Sequence, residues 1–482
     1  MESATAADLP MSADVSARRV PFFLHDPDGV PVAGVSISLV GRTGAVVTGA
    51  DGSFRLVPEP IPPFQIVVIA LDGALLGTIY VPALDDPSDR RLVLSHSNIE
   101  TIQVLSGVAP GSDSPPASGA SVLSRGELER LRATRLVDAI VEVPGANRSG
   151  SGQTAVPSFR GMARGRTLVL LDGARVTTER RAGASATFLD PFSLGSVELV
   201  RGPGSVAYGS DALGGVIHAR TPLPEPGVTF VDYEAAAGAG LEYASFGARA
   251  QIALGRGAVL AQFHQRSFDD YRSPRGTVDN SSARDSGGLV RGLVPIGAGR
   301  IDIGLQINRA RDLSRPTEEP DPSRTVYPLE DSDRLTLAYD LPGVAGFSGF
   351  ELRGFVGRYR LITERVTVDK STSTTSISQS DVEAGDASLK FIAVRPGGRG
   401  LLRLGIDLVS RFGLKADDRI VDHPSGGPPV VVLDQETIRD ARRFDAALFV
   451  EGEHAPGSGV FSLSAGIRGD TVSTRNSGGS FG

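Results

Sequence analysis

The sequence predicts a mainly β chain in three parts: a small β-sandwich, an α/β domain, and antiparallel strands of the transmembrane β-barrel type. Three observations carry this. Short strand-prone runs separated by Asp-Gly turns fill residues 19–97. Helix start and stop signals are confined to residues 121–224. From about Val228 onward the helices disappear and long alternating segments follow one another.

Composition narrows the functional classes. The 59 Gly and 32 Pro show no collagen-like period, so they point to turns and β architecture. A net charge of -7, with both signs mixed along the chain, lacks the basic stripe that a nucleic-acid partner favours. The absence of Cys excludes disulfides, thiolate metal sites and Cys nucleophiles. His25, His96, His218, His264, His423 and His454 stand singly, with no i, i+4 pair for a helical zinc site. Neither a metal site nor a cofactor is expected. The apolar stretch around Gln65–Val81 is interrupted by Asp72 and two glycines, too soon for a helix of the ~20 apolar residues that cross a bilayer. Met1–Val20 lacks the basic-then-apolar order of an export signal.

Residues 1–18 are small and polar and are expected to be disordered. Residues 19–97 follow as the β-sandwich. In it Val35-Ser36-Ile37-Ser38-Leu39-Val40 alternates at period 2, and Asp28-Gly29, Asp51-Gly52 and Asp72-Gly73 mark turns. The order of these pieces, Asp51-Gly52-Ser53-Phe54 above all, resembles the carboxypeptidase-regulatory-like module. Residues 98–120 hold a strand-prone segment, Ile99–Leu105, and a Ser/Gly/Pro linker. The segment reads either as a last strand of the sandwich or as a strand offered to a partner's sheet edge.

In the α/β domain, residues 121–224, Ser124-Arg125-Gly126-Glu127 is a capping box, with Leu123 and Leu128 at the staple positions. A second helix starts near Thr134, puts Leu136, Val137, Ile140 and Val141 on one face, and stops at Pro144-Gly145. Thr167–Leu171 and Val197–Arg201 read as buried strands.

Residues 225–482 carry the long alternation. Ile301, Ile303, Leu305 and Ile307 interleave with Asp302, Gly304, Gln306 and Asn308. Leu335, Leu337, Tyr339 and Leu341 do the same with polar neighbours, as do Leu402, Leu404, Ile406 and Leu408. This pattern fits lipid on one face and a polar lumen on the other. About eleven strands fit between Val228 and Asp470, with polar stretches such as Arg311–Asp333 and Lys415–Arg443 expected as loops. Single-chain barrels close with an even number of strands, so the sequence is expected to be incomplete. The lack of Trp counts slightly against aromatic girdles.

The densest signal runs from Arg160 to Thr221. Its glycines include Gly202, Gly204, Gly209, Gly214 and Gly215. No Lys-Ser/Thr pair follows them, and the spacing fits neither a Walker loop nor a dinucleotide fingerprint. No Gly-x-Ser-x-Gly elbow is present, and no Ser, His and Asp fall in a recognisable catalytic arrangement, so no catalytic residue and no enzyme is read.

In order, Val143-Pro144-Gly145, Phe159-Arg160-Gly161, Leu170-Leu171-Asp172-Gly173, Val197-Glu198-Leu199-Val200-Arg201-Gly202-Pro203, Ala207-Tyr208-Gly209-Ser210 and Ala212-Leu213-Gly214-Gly215-Val216-Ile217 resemble the plug of TonB-dependent outer-membrane receptors. The resemblance implies a plug filling a 22-stranded barrel, of which this chain supplies about half. It also implies import of a scarce nutrient chelate such as a ferric siderophore, haem or cobalamin, driven through TonB. Ile99–Leu105 resembles the TonB box, which makes Glu100, Thr101, Ile102, Gln103 and Val104 the expected TonB contacts. Arg160 and Arg201 are expected to be buried at the lumen wall opposite carboxylates such as Glu351 or Asp407. Arg175, Arg180 and Arg181 would either meet an anionic ligand or form a solvated loop. A surface receptor or adhesin of the same fold, without energised transport, is the alternative.

Overall fold

The computed structural model describes residues 21–26, 29–39, 45–56, 60, 64–69, 75–81, 84, 90–94, 104–105, 119–163, 166–177, 189–201, 212–238, 243–317, 323–342, 346–347, 349–397, 400–454 and 463–478. Two small sheets come first. Phe22–His25 lies between Ser53–Phe54 and Arg91–Val93, and Ser36–Leu39 lies between Ala45–Val47 and Phe64–Ile69, with Leu75–Val81 outermost. Phe22, Leu24, Ile37, Phe64 and Ile66 are buried together between them. Asp51 Oδ1 accepts the Ser53 amide at 3.0 Å, and Gly52 takes φ +74°, a left-handed turn that Gly enters without a Cβ penalty.

The α/β domain is a six-stranded sheet. Its order is Ala174–Arg175, Thr167–Leu171, Gly215–Arg220, Ser196–Arg201, Gly119–Ser124, Val104–Leu105. Thr167–Leu171 and Gly215–Arg220 are parallel; the other neighbours are antiparallel. The capping box forms as the spacing predicts. Ser124 Oγ accepts the Glu127 amide at 3.3 Å, and Glu127 Oε2 accepts the Ser124 amide at 2.8 Å, starting α1 (Arg125–Leu131). Leu123 and Leu128 are buried, as a staple requires. In α2 (Leu136–Ile140), Leu136, Ala139 and Ile140 join the core and Val137 is buried, while Val141, expected on the same face, is half-buried at the C-cap.

The third part is one antiparallel sheet of eleven strands, each paired with the next in sequence. They are Phe230–Gly238, Tyr243–Leu254, Gly257–Phe268, Ala283–Ile296, Gly299–Ser314, Ser323–Pro342, Gly349–Asp369, Thr374–Gly397, Gly400–Pro424, Val430–His454 and Leu463–Arg475. Burial across it is inverted relative to a soluble sheet. Ile303, Leu305 and Ile307 are 48%, 48% and 42% exposed, whereas Asp302, Gln306 and Asn308 are 9%, 7% and 1% exposed. The apolar phase faces outward, and the polar phase lines the concave side on which the α/β domain sits.

The expected loops Arg311–Asp333 and Lys415–Arg443 are mostly strand instead, continuing Gly299–Ser314, Ser323–Pro342, Gly400–Pro424 and Val430–His454. A bilayer crossing takes ~9–11 residues of a tilted strand. Strands of 25 residues therefore stand well clear of lipid, where both faces are wet and no apolar alternation is required.

Candidate functional site

Among the described residues, the inward phase of the large sheet bonds the α/β domain at three places. The first is built by one strand, Gly257–Phe268, whose alternate residues point inward. Gln262 Nε2 donates to the Ser193 carbonyl at 2.9 Å, and His264 Nδ1 lies 2.9 Å from Ser193 Oγ. Arg266 Nη1 donates to the Thr134 carbonyl at 2.6 Å, and its Nε to Asp285 at 2.8 Å. All three side chains are buried.

The second place centres on Asp172. Leu171-Asp172-Gly173-Ala174 is a tight hairpin turn with φ +50° at Asp172 and +83° at Gly173, the geometry for which Asp-Gly is suited. Asp172 accepts the Thr221 amide and hydroxyl, each at 2.9 Å. Arg291 Nη1 reaches Asp172 Oδ1 at 3.2 Å and the Thr221 carbonyl at 3.0 Å, while its other nitrogens hold Asp302 at 2.8 and 2.5 Å. The Gly173 amide donates to His218 Nε2 at 2.9 Å. Burial, then the cation of Arg220, holds His218 well below its ordinary pKa, so the ring stays neutral and Nε2 remains an acceptor.

The third place is looser. Arg334 contacts the Ala174 and Arg175 carbonyls at 3.4 Å and stacks over the Phe355 ring, while Thr177 Oγ1 donates to Asp386 at 2.5 Å.

Within the α/β sheet, Glu198 is buried and pairs with Arg220 at 2.7 Å. Gly215 has φ +150°, and a Cβ there would lie 2.6 Å from the Val200 carbonyl, so only Gly fits between the neighbouring strands; Gly214 packs against Met162 and Arg166.

The expected pairing of Arg160 with wall carboxylates does not form. Arg160 is exposed, on a left-handed turn with Gly161 (φ +48° and +74°) that turns its side chain away from the packed face. Glu351 faces Arg353 at 3.6 Å and Asp407 faces Arg468 at 3.1 Å, both within the large sheet. The polarity is reversed on this side. Arginines of the wall, Arg266, Arg291 and Arg334, reach acceptors of the domain. Their signal was in the sequence: each occupies the polar phase of an alternating strand.

Arg201 ends the strand Ser196–Arg201. Gly202, Pro203, Tyr208, Gly209, Arg180 and Arg181 lie outside the described residues, as do Glu100, Thr101, Ile102 and Gln103. Val104 pairs with Ser121 at the sheet edge, and Arg175 is half-buried beside Arg334.

The connector to the large sheet, Pro222–Gly227, is gripped by Gln251. Its amide donates to the carbonyls of Glu225 and Val228, and its carbonyl accepts the Glu225 amide at 3.0 Å. Burial pushes the Glu225 carboxyl up to about 8, and its Oε2 has no hydrogen-bond partner among the described residues. A folded-state value above the unfolded one binds extra protons between the two. Glu225 therefore contributes stability below about pH 4.5 that is lost as the pH rises to about 8. Unfolding midpoints measured across this window should fall for the native protein and fall less for Glu225→Gln; identical slopes would sink the assignment.

Residues 112–216 match the family described as TonB-dependent Receptor Plug Domain. Over 160 residues, 33% of the chain, the sequence is 30% identical to the vitamin B12 transporter BtuB of Vibrio vulnificus (strain YJ016), of which that region covers 24%. Over 130 residues, 25% of the chain, it is 39% identical to the iron-regulated outer membrane virulence protein of Vibrio cholerae serotype O1, covering 20% of it. The matched region is thus a quarter or less of these relatives' length. Among solved structures, a copper transporter, OprC, superposes with TM-score 0.60 at 18% identity, covering 78% of this chain and 58% of that one. The unliganded ferric citrate transporter FecA superposes with TM-score 0.56 at 15% identity, covering 74% and 57%. These two likenesses establish the fold: a plug seated against part of an outer-membrane barrel. Residues 112–216 thus carry a plug domain of the TonB-dependent receptor type, and the eleven strands with their inverted burial have the fold of part of an outer-membrane receptor barrel.

Proposed function

We propose that this chain serves energised import of a small nutrient chelate, such as a ferric siderophore, haem or cobalamin, across the outer membrane, with TonB as its partner. The observation that carries the reading is the plug held to the inward wall by buried polar bonds at three places. A pore closed by its own plug passes cargo only when work is done on the plug. Among the described residues nothing resembles an ATP site, so the work must come from a partner. Glu100–Val104 is the segment through which TonB would pull, because an extended strand binds a partner's sheet edge through its backbone. Arg175, Arg180 and Arg181 are proposed as contacts for an anionic cargo. The role is that of a receptor and not of an enzyme.

Deleting Ile99–Leu105 tests this. Binding of the natural chelate at the cell surface should be retained, and its accumulation should drop to that of a strain lacking TonB. Unchanged accumulation would show that transport is not energised through this segment, leaving a surface receptor of the same fold.

A further inference from the structure

The outward face of the large sheet ends differently on the two sides of its apolar band. The strands turn tightly at Leu254–Gly257, Ile296–Gly299 and Gly397–Gly400 and run on into long extensions at their other ends, the pattern of periplasmic and extracellular sides respectively. Toward the tight turns the outward phase stays apolar, with Ile252, Leu254, Val294 and Ile296 exposed. Toward the extracellular side, on the strands Gly257–Phe268, Ala283–Ile296 and Gly299–Ser314, it changes to Gln265, Ser267, Arg284, Ser286, Arg309 and Arg311. All six can donate hydrogen bonds and none is a carboxylate.

Arg284 stands directly opposite Arg311 in the strand register, and like charges so placed oppose strand pairing. Arg309 and Arg311 share Asp331 of the next strand, and Arg309 also meets Asp333 at 2.6 Å. No ion pair joins Arg284 to any described residue. Three guanidiniums thus face two carboxylates. Directly below Ser286 on the same strand, Gly288 lies between Phe263 and Ile307. A Cβ at Gly288 would meet nothing closer than the Gln262 carbonyl at 3.5 Å, so the outward side of this position is an open notch between two large apolar side chains. The small residues Ala261 and Gly292 continue the notch toward the membrane centre.

We propose that this patch binds the phosphorylated headgroup of an outer-leaflet lipid, with an acyl chain of the same molecule in the notch. A phosphate between Arg284 and Arg311 offsets their repulsion, and planar guanidiniums meet phosphate oxygens through paired N–H donors. Arg309, Ser267 and Ser286 supply further donors around it. A free phosphate would satisfy the charges alone. The lipid is favoured because the apolar notch opens immediately below the donors, where a headgroup gives way to its chains. The site lies on the outside of the wall, so it stands apart from the import reading above.

The test is native mass spectrometry of the full-length protein in detergent micelles, titrated with diphosphoryl lipid A and with phosphatidylcholine on the same preparation. Binding is read as the ratio of the two lipids, so loss of fold cannot mimic loss of the site. Arg284→Gln with Arg311→Gln should weaken lipid A binding about tenfold, since each basic side chain near a headgroup contributes severalfold. Gly288→Leu keeps every charge and fills the notch; it should weaken lipid A binding at least about threefold. Arg358→Gln with Arg360→Gln removes exposed arginines already paired with Glu383 and Asp381, and should change binding less than about twofold. Millimolar inorganic phosphate should leave lipid A in place. An unchanged ratio for the Arg284 and Arg311 variant, an equal loss for the Arg358 and Arg360 variant, or displacement by phosphate would overturn the proposal. So would an unaffected Gly288→Leu protein, which would leave a phosphate site without a lipid.

Discussion

Replacing Arg291 with Met is expected to cost ~3–5 kcal/mol, because it leaves Asp172 and Asp302 buried without their cation. Both carboxylates are about 10% exposed and cannot recover the loss from water. The damage should fall on the plug-to-wall contact first. Denaturant titration of the purified protein should show an earlier transition, and limited proteolysis should release plug fragments under conditions where the native protein resists. Arg360→Met is the control. Its pair with Asp381 is 42% and 30% exposed, so about 1 kcal/mol or less is expected. Equal effects for the two arginines would mean that the buried cluster contributes nothing special.

Ile303→Arg separates a lipid-facing surface from a water-facing one. Ile303 is 48% exposed on the outward phase. On a soluble sheet, a surface substitution of this kind stays within about 0.5 kcal/mol. Against lipid, an arginine near the bilayer midplane costs ~2–4 kcal/mol. Urea titration of protein folded into vesicles should show the larger penalty, and a near-neutral result would remove the lipid assignment for this face.

The legible parts of the sequence were those set by local rules. The capping box at Ser124 and Glu127, the strand Thr167–Leu171, the turn at Asp172-Gly173 and the number of long strands all depend on near neighbours or on period 2. What failed depended on contacts distant in sequence. Arg160 was expected inside because buried cations need partners, but nothing local says which way a left-handed turn aims a side chain. Arg266 and Arg291 stand in the polar phase of their strands, where alternation marks which side a residue faces but not which partner it meets on the plug. The extensions of the longest strands were read as loops because the alternation fades there, yet backbone pairing continues without it.

The connector Pro222–Gly227 has a consequence for how the plug can yield. It continues from Gly215–Arg220, an interior strand of the plug sheet, and Gln251 grips it on the wall side. Three prolines in six residues leave it little slack. The plug is therefore on a short leash attached near its middle. It can pivot and it can fray at its rims, but while Gln251 holds it cannot be drawn out whole, and the lever arm is longest at the two outermost strands.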